Sequence, residues 1–457
     1  MTREDDRPAA DRLYEMALRN FGREQTESAR VLCDACLELS PDHVEAWLLL
    51  AEAHSFEDRD QAALACLIRA AAIEPPSLEA LSRLTRQYLQ MGRAPDAVNA
   101  ARRQLEILPG DLDTEYVLAV ALARADKREE ALLAFQKLLE IEDTASASAI
   151  EATWLLLGDR RYREGWPLWE RRPIYVSCPA TRNTVPMWQG EPLSGRKILV
   201  LPEGGHGDTI WAARFLPGLK AAGAEVHVQT RPALSNLFKD LEGVDAWNED
   251  TGPQADYDFW VPILSVPSLL EVENPARYPP AKLHAEPAQG GGLVRLLGRA
   301  RAPLRVGILW SGNVDYGGNA DRAAGLTDFL PLSELPFVQL YSLQKGPPQR
   351  ELIEGGYGDL IIDCDDFDFS ETAALIRSLD LIIMTDSAVA HIAGSLGTPV
   401  WVLLDRFPHW FHGFEGSGSD WYPAMRFFRQ SQPHDWSDVV IRVREALADF
   451  AGKCRYT

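Results

Sequence analysis

The chain is poor in what an exported, membrane-bound or nucleic-acid-binding protein needs. Its six cysteines, at 33, 36, 66, 178, 364 and 454 of 457 residues, are too few and too scattered to form a disulfide framework. No apolar run is long enough to cross a bilayer, because the most apolar stretch, Leu379 to Leu404, is broken by Asp380, Asp386 and His391. The first residues, MTREDDRPAA, lack the basic-then-apolar order of a signal peptide. Cations are scarce too. Against 67 Asp and Glu stand 46 Lys and Arg, a net charge of −21, and a surface of that sign repels nucleic acid and anionic lipid. The expectation is a cytoplasmic protein with no nucleic-acid partner and no transmembrane segment. A hydrophobic share of 46% with 25% charged residues is ordinary for folded domains, and the length suggests two to four of them.

Periodicity is what the first third has in abundance. Pro41, Pro75 and Pro109 recur every 34 residues, each closing a stretch patterned as two short amphipathic helices, which is the period of a tetratricopeptide array. Small residues fall where the helices of a pair must touch: Ala17, Ala51 and Ala119 in first helices, Ala29, Ala63, Ala97 and Ala131 in second ones. Four repeats are expected. A degenerate fifth, about 146–172, places Trp169 at the large aromatic position and Asp143 where the preceding proline would stand. Cys33 and Cys36 form a C-x-x-C inside a helix at buried repeat positions; without a second pair, they read as core filler ahead of redox or metal chemistry.

From 173 to 195 the pattern dissolves into prolines, glycines and small polar residues, and this segment reads as a linker. Trp154, Trp166, Trp169 and Trp188 crowd around it and read as a packed contact in preference to sugar stacking. From Arg196 onward short apolar strands alternate with helices. KILVLP, EVHVQT, DAWNE and DYDFWVPILS read as strands of a first unit, residues 196–303, with PALSNLFKDL as a helix. LRVGILWSG, FVQLYSLQKG, LIIDCD, DLIIMTD and PVWVLL read as strands of a second, residues 304–457. About 273–303 is the expected hinge. Two such units in tandem imply a cleft lined by loops at the carboxyl ends of parallel strands.

Two loops carry chemistry. Gly204-Gly205-His206-Gly207-Asp208-Thr209 joins a strand to a helix; Asp208 is either a helix cap or a carboxylate base for an acceptor hydroxyl. Its glycine spacing fits neither a dinucleotide fingerprint nor a nucleoside-triphosphate loop. Thr385-Asp386-Ser387-Ala388-Val389-Ala390-His391 makes the same strand-to-helix passage. Small residues there leave helix amides open to a phosphate, although Asp386 and Ser387 also suit ordinary caps and His391 ordinary packing. Arg322 and Lys345, at other strand ends of the second unit, would add cations. His409, Trp410, His412 and Trp421 either face a ligand or anchor a long loop.

The blocks PMWQGEPLSGR, GGHGDTIWAARFLP, VGILWSGN, DRAAGL, SLQKG, TAALIRSLDLIIMTDSAVAHIAGSLGTPVWVLL and WYPAMRFFRQ, in this order, resemble bacterial tetratricopeptide-repeat glycosyltransferases with a heptosyltransferase-like catalytic region. The resemblance spans nearly the whole chain. It implies an α-helical solenoid (1–172) followed by the two-lobed α/β fold called GT-B. An N-terminal lobe would admit the acceptor, and a C-terminal lobe would bind a nucleotide-sugar donor without an obligatory metal or other cofactor. It puts the catalytic aspartate on Asp208, within an acceptor-side loop of Gly205, His206, Gly207 and Thr209. The donor site would comprise Arg322, Gln344, Lys345, Asp386, Ser387, Ala388 and His391. The chain departs from the pattern at Trp211-Ala212, where relatives carry Gln-Phe, and at Ala323, where they often carry Ser. The resulting expectation is transfer of a sugar to a hydroxyl of a protein recruited by the repeats, flagellin being one candidate. The alternatives are an inactive repeat scaffold and a lipopolysaccharide or lipid-linked sugar transferase.

Overall fold

The computed structural model describes residues 6–141, 147–174, 184–229, 231–248, 256–286, 291–364 and 367–454. The chain divides into two compact units, Met1–Leu155 and Leu156–Thr457.

The first unit is built from antiparallel helix pairs: α1 (Arg7–Phe21) with α2 (Thr26–Leu39), α3 (Val44–Phe56) with α4 (Asp60–Ala71), α5 (Leu78–Gln90) with α6 (Ala94–Ile107), and α7 (Leu112–Arg124) with α8 (Arg128–Ile141). The alanines read as helix contacts are all buried, from Ala17 to Ala131. At the one repeat lacking that alanine, Thr85 fills the place and turns its hydroxyl onto its own helix, donating to the Leu81 carbonyl at 2.8 Å. The 34-residue period also governs the turns. His43, Ser77 and Asp111 cap α3, α5 and α7 by accepting a hydrogen bond from the backbone N–H three residues on. Glu24, Asp58, Gly92, Asp126 and Arg160 all hold a left-handed backbone, with φ from 55° to 68°. That fifth member extends the repeat grammar into the turn between α9 (Ala147–Gly158) and α10 (Tyr162–Trp169). Asp143, the position proposed for the missing proline, lies outside the described residues. Cys33 and Cys36 are fully buried and burial pushes their thiols up, to about 12 and about 11 respectively, so both remain protonated and unreactive near neutrality.

The second unit begins earlier than the composition suggested. Helix α10 belongs to it because its indoles are tied there: Trp166 Nε1 donates to the Val272 carbonyl and Trp169 Nε1 to that of Leu264, each at 2.7 Å. The latter part of the supposed linker is also structured. Val185, Trp188 and Leu193 are buried, and Trp188 N–H donates to Trp260 O at 2.8 Å, extending a sheet edge. Aromatic and aliphatic area outweighed the local prolines.

Strands β1 (Lys197–Leu201), β2 (Glu225–Gln229), β3 (Ala246–Asn248) and β4 (Phe259–Pro262) form an all-parallel sheet in the order β3-β2-β1-β4. The segment PALSNLFKDL does not form the expected α-helix; only a 3-10 turn, Pro232–Leu234, is present. Its neighbouring apolar residues Leu234, Leu237 and Phe238 are buried as anchors of an irregular loop. The second sheet, also parallel, runs β10-β9-β8-β5-β6-β7, from β5 (Leu304–Leu309), β6 (Val338–Ser342), β7 (Ile361–Asp363), β8 (Leu381–Thr385), β9 (Val400–Leu404) and β10 (Met425–Arg429). The C-terminal helix Ser437–Cys454 buries Val439, Val443, Leu447 and Ala451 against its core. Within the expected hinge, Ala281, Leu283 and Ala285 are buried and the Ala285 carbonyl accepts from Arg377 at 3.1 Å. Among the described residues no helix is long and apolar enough to cross a membrane.

Candidate functional site

Both chemistry-bearing loops sit at carboxyl ends of strands. The His206 helix (His206–Ala212) follows β1, and the Ala388 helix (Ala388–Leu396) follows β8. The two helices touch at Gly207, where a Cβ would lie 2.9 Å from His391 Cδ2 and 3.2 Å from Ala388 Cα. Only glycine allows that approach, and it sets Asp208 and Asp386 on one cleft of about 1020 Å³. A volume of that order suits a sizeable small-molecule ligand. Gly205, His206, Gly207, Asp208, Arg322, Gln344, Lys345, Asp386, Ser387, Ala388 and His391 all line it. Thr209 does not. It is buried, and its hydroxyl donates to Gly205 O at 3.1 Å within the helix.

Asp208 takes the cap role considered for it. Its Oδ2 accepts from the Gly205 N–H at 2.6 Å, as a cap does, which leaves Oδ1 for a ligand. Burial raises its pKa; the Gly205 hydrogen bond and Arg231 oppose the rise, while Asp386 and Glu203 add to it. A carboxyl shifted upward is a stronger base than a surface aspartate, as proton abstraction requires. Behind it, Arg172 and Glu203 form a buried bidentate pair, with Nε–Oε1 at 3.0 Å and Nη2–Oε2 at 2.5 Å. Arg172 also donates to Ser265 Oγ and to Trp169 O, each at 3.0 Å. This cluster fixes the strand end from which the glycine loop springs.

On the opposite wall, burial would raise the pKa of Asp386, but His412 and Arg322 outweigh it and hold the carboxyl far below the usual range. The geometry explains this: His412 Nε2 lies 3.0 Å from Oδ1, and Arg322 Nη1 lies 3.3 Å from Oδ2. Arg322 is further braced by Tyr316, whose ring centre is 4.8 Å from the guanidinium carbon. Ser387 caps the Ala388 helix by accepting from Val389 N–H at 3.3 Å. Gln344 is placed in the cleft wall, but its amide is occupied by backbone: Oε1 accepts from Trp310 and Ser311 N–H, and Nε2 donates to Ser311 and Lys345 carbonyls. It shapes the wall. His391 is buried against Gly207 and Phe411, with Nδ1 3.3 Å from the Tyr422 hydroxyl. Burial depresses its pKa to about 3, so it is a neutral packing residue near neutrality and brings no charge to a phosphate. Lys345 is exposed at the cleft edge.

One contributor was not singled out from sequence. Arg231, just after β2, donates to the Gly204 carbonyl and acts electrostatically on Asp208; its only sequence signal is its place beyond a strand. His409, Trp410 and His412 line the cleft, whereas Trp421 packs between Trp211, Phe215 and Phe411. Trp211, which departs from the resembled pattern, joins Trp166, Trp169 and Trp410 in one aromatic cluster. Buried polar atoms without a partner here include Trp211 Nε1, Trp410 Nε1 and His412 Nδ1.

These features define a repeat protein joined to a region of two parallel α/β sheets that share a ligand-sized cleft. A tetratricopeptide-repeat model matches residues 21–88, and the N-terminal region is a tetratricopeptide-repeat solenoid. Over 90% of its length the chain is 27% identical to Protein FlbA of Caulobacter vibrioides, covering 74% of that protein, and the two are homologous. Similar solved structures include MamA, with 25% identity over 29% of this chain and 72% of that one at a TM-score of 0.27. Another is YrrB, described as a TPR protein with an unusual peptide-binding site, with 18% identity over 34% and 77% of the respective chains at a TM-score of 0.29.

Proposed function

We propose that the chain is a glycosyltransferase of the GT-B type, moving a sugar from a nucleotide-sugar to a hydroxyl on a protein that the repeats recruit. The observation that supports this most directly is the placement of Asp208 and the Asp386–Ser387–Ala388 helix start on opposite walls of one cleft, at carboxyl ends of two parallel sheets. In this reading the donor phosphate rests at the Ala388 helix N-terminus, where open amides and the helix dipole favour an anion. Arg322 and Lys345 add positive charge beside it. The acceptor hydroxyl gives its proton to Asp208 Oδ1 as its oxygen attacks the anomeric carbon and the bond to the phosphate oxygen breaks, the bonding electrons leaving with the phosphate. Gly207 keeps the walls close enough to hold both reactants in line and exclude water. The repeats raise the local concentration of acceptor; flagellin is a candidate.

The test is thermal stabilisation of the full chain by a panel of nucleotide-sugars. A donor at one hundred times its dissociation constant should add about 2.7 kcal/mol. Asp208→Asn should retain that stabilisation and lose transfer by at least about a hundredfold. Silence across the panel would overturn the transferase reading and leave a scaffold.

A further inference from the structure

We infer that His412, oriented by Asp386, is a catalytic residue on the leaving-group side, donating a proton from Nδ1 to the departing phosphate. The inference rests on the transferase reading above and deepens it. Three observations carry it. First, Nε2 lies 3.0 Å from Asp386 Oδ1, so its N–H is committed to the carboxylate, and the imidazole orientation is fixed through it. Second, Nδ1 is buried and has no hydrogen-bond partner, while the residue lines the cleft at 3% exposure. A buried nitrogen left unpaired costs free energy unless a ligand completes it. Third, Asp386 immediately precedes Ser387, the cap of the nine-residue Ala388 helix, and its second oxygen holds Arg322. One carboxylate thus suspends a guanidinium and an imidazole in front of a helix N-terminus, a constellation complementary to an anion.

The loop is built to keep the ring there. Trp410–His412 forms a 3-10 turn, and Arg429 clasps it by donating to the carbonyls of His412 and Gly413 at 2.8 and 3.0 Å. Phe427 closes the far side, its ring centre 5.2 Å away. The charged and titratable groups facing His412 are Asp386 just after β8, Arg322 beyond β5, His391 from the Ala388 helix, Arg429 from β10 and His409 from the start of its own turn. Burial depresses His409 to about 4 and His391 to about 3, so both are neutral near neutrality.

The step balances as follows. The acceptor oxygen bonds to the anomeric carbon and its proton passes to Asp208. The bond from that carbon to the phosphate oxygen breaks, its electron pair stays on the oxygen, and the oxygen takes the Nδ1 proton. Asp208 ends protonated and His412 neutral; exchange with solvent restores both.

Inorganic pyrophosphate serves as the probe, with binding to the full chain measured by calorimetry at pH 6. His412→Gln places an amide near the Nε2 position, preserving the Asp386 contact, and removes Nδ1. The expected result is binding about tenfold weaker than wild type. The ligand's own titration cancels in that comparison. In histidine carbon NMR, the resonance missing from His412→Gln should shift once pyrophosphate is added. Equal affinities at pH 6, or a resonance indifferent to pyrophosphate, overturn the inference. Pyrophosphate failing to bind wild type removes the anion site and the inference with it, whereas stabilisation by a nucleotide-sugar would still support the transferase reading. A His412→Gln protein that has lost its fold is recognised by its melting curve; His412→Asn, which keeps an amide near Nδ1, must then recover part of the pyrophosphate affinity, or the inference fails.

Discussion

Removing the Arg172 guanidinium should destabilise the second unit more than any exposed ion-pair change. Arg172 and Glu203 side chains are each only 6% exposed, so Arg172→Met leaves a carboxylate with neither water nor a cation to solvate it. Breaking a buried pair from one side typically costs about 3–5 kcal/mol. The upper part of that range is expected, because the same guanidinium serves Ser265 Oγ and Trp169 O and stacks 4.5 Å over the Trp169 ring. Against a typical domain stability of about 5–15 kcal/mol, the loss is large. Urea unfolding followed by tryptophan fluorescence reports it, since Trp166, Trp169, Trp211, Trp410 and Trp421 all lie in this unit. The double variant Arg172→Met with Glu203→Met replaces the pair by apolar volume and should return to within about 1 kcal/mol of wild type. A cost below about 1 kcal/mol for the single change, or a double variant as unstable as the single, would refute the desolvation argument.

Gly207→Ala should cost about 1–3 kcal/mol by overpacking and weaken pyrophosphate binding, because the methyl meets His391 and the Ala388 backbone; unchanged stability and binding would mean the helices slide apart freely. The acid limb of transfer should lie above the ordinary aspartate range near 3.9, because burial raises Asp208 and activity needs its ionised form. Arg231→Met removes a cation that favours ionisation, so that limb should move to still higher pH; a downward move contradicts the assignment. In the repeats, Glu24 holds φ at 61°. Glu24→Gly should therefore stabilise the helical unit by up to about 1 kcal/mol, and Glu24→Val should destabilise it by a similar amount; calorimetric melting in the reverse order would exclude backbone strain at that turn.

Local spacing made much of the fold legible. The prolines and alanines at 34-residue intervals marked the helix pairs, because a stacked repeat imposes the same steric demand at every turn. The left-handed turn residues kept that period too, but Glu24, Asp58 and Asp126 show no glycine to betray it. Strands after Arg196 were visible as apolar runs because parallel strands are buried on both faces. The segment PALSNLFKDL misled, since its apolar residues anchor a loop without helical hydrogen bonding.

By itself, then, the order of residues determined the repeat array, the alternation of strand and helix, and the glycine-rich and glycine-free helix starts bearing Asp208 and Asp386 respectively. Tertiary structure alone decided what those groups meet. Arg172 reaches Glu203 across 31 positions, His412 reaches Asp386 across 26, and Gln344 spends its amide on backbone. Such pairings depend on chain crossings that no local periodicity encodes, and in a buried site they set charge and orientation through desolvation.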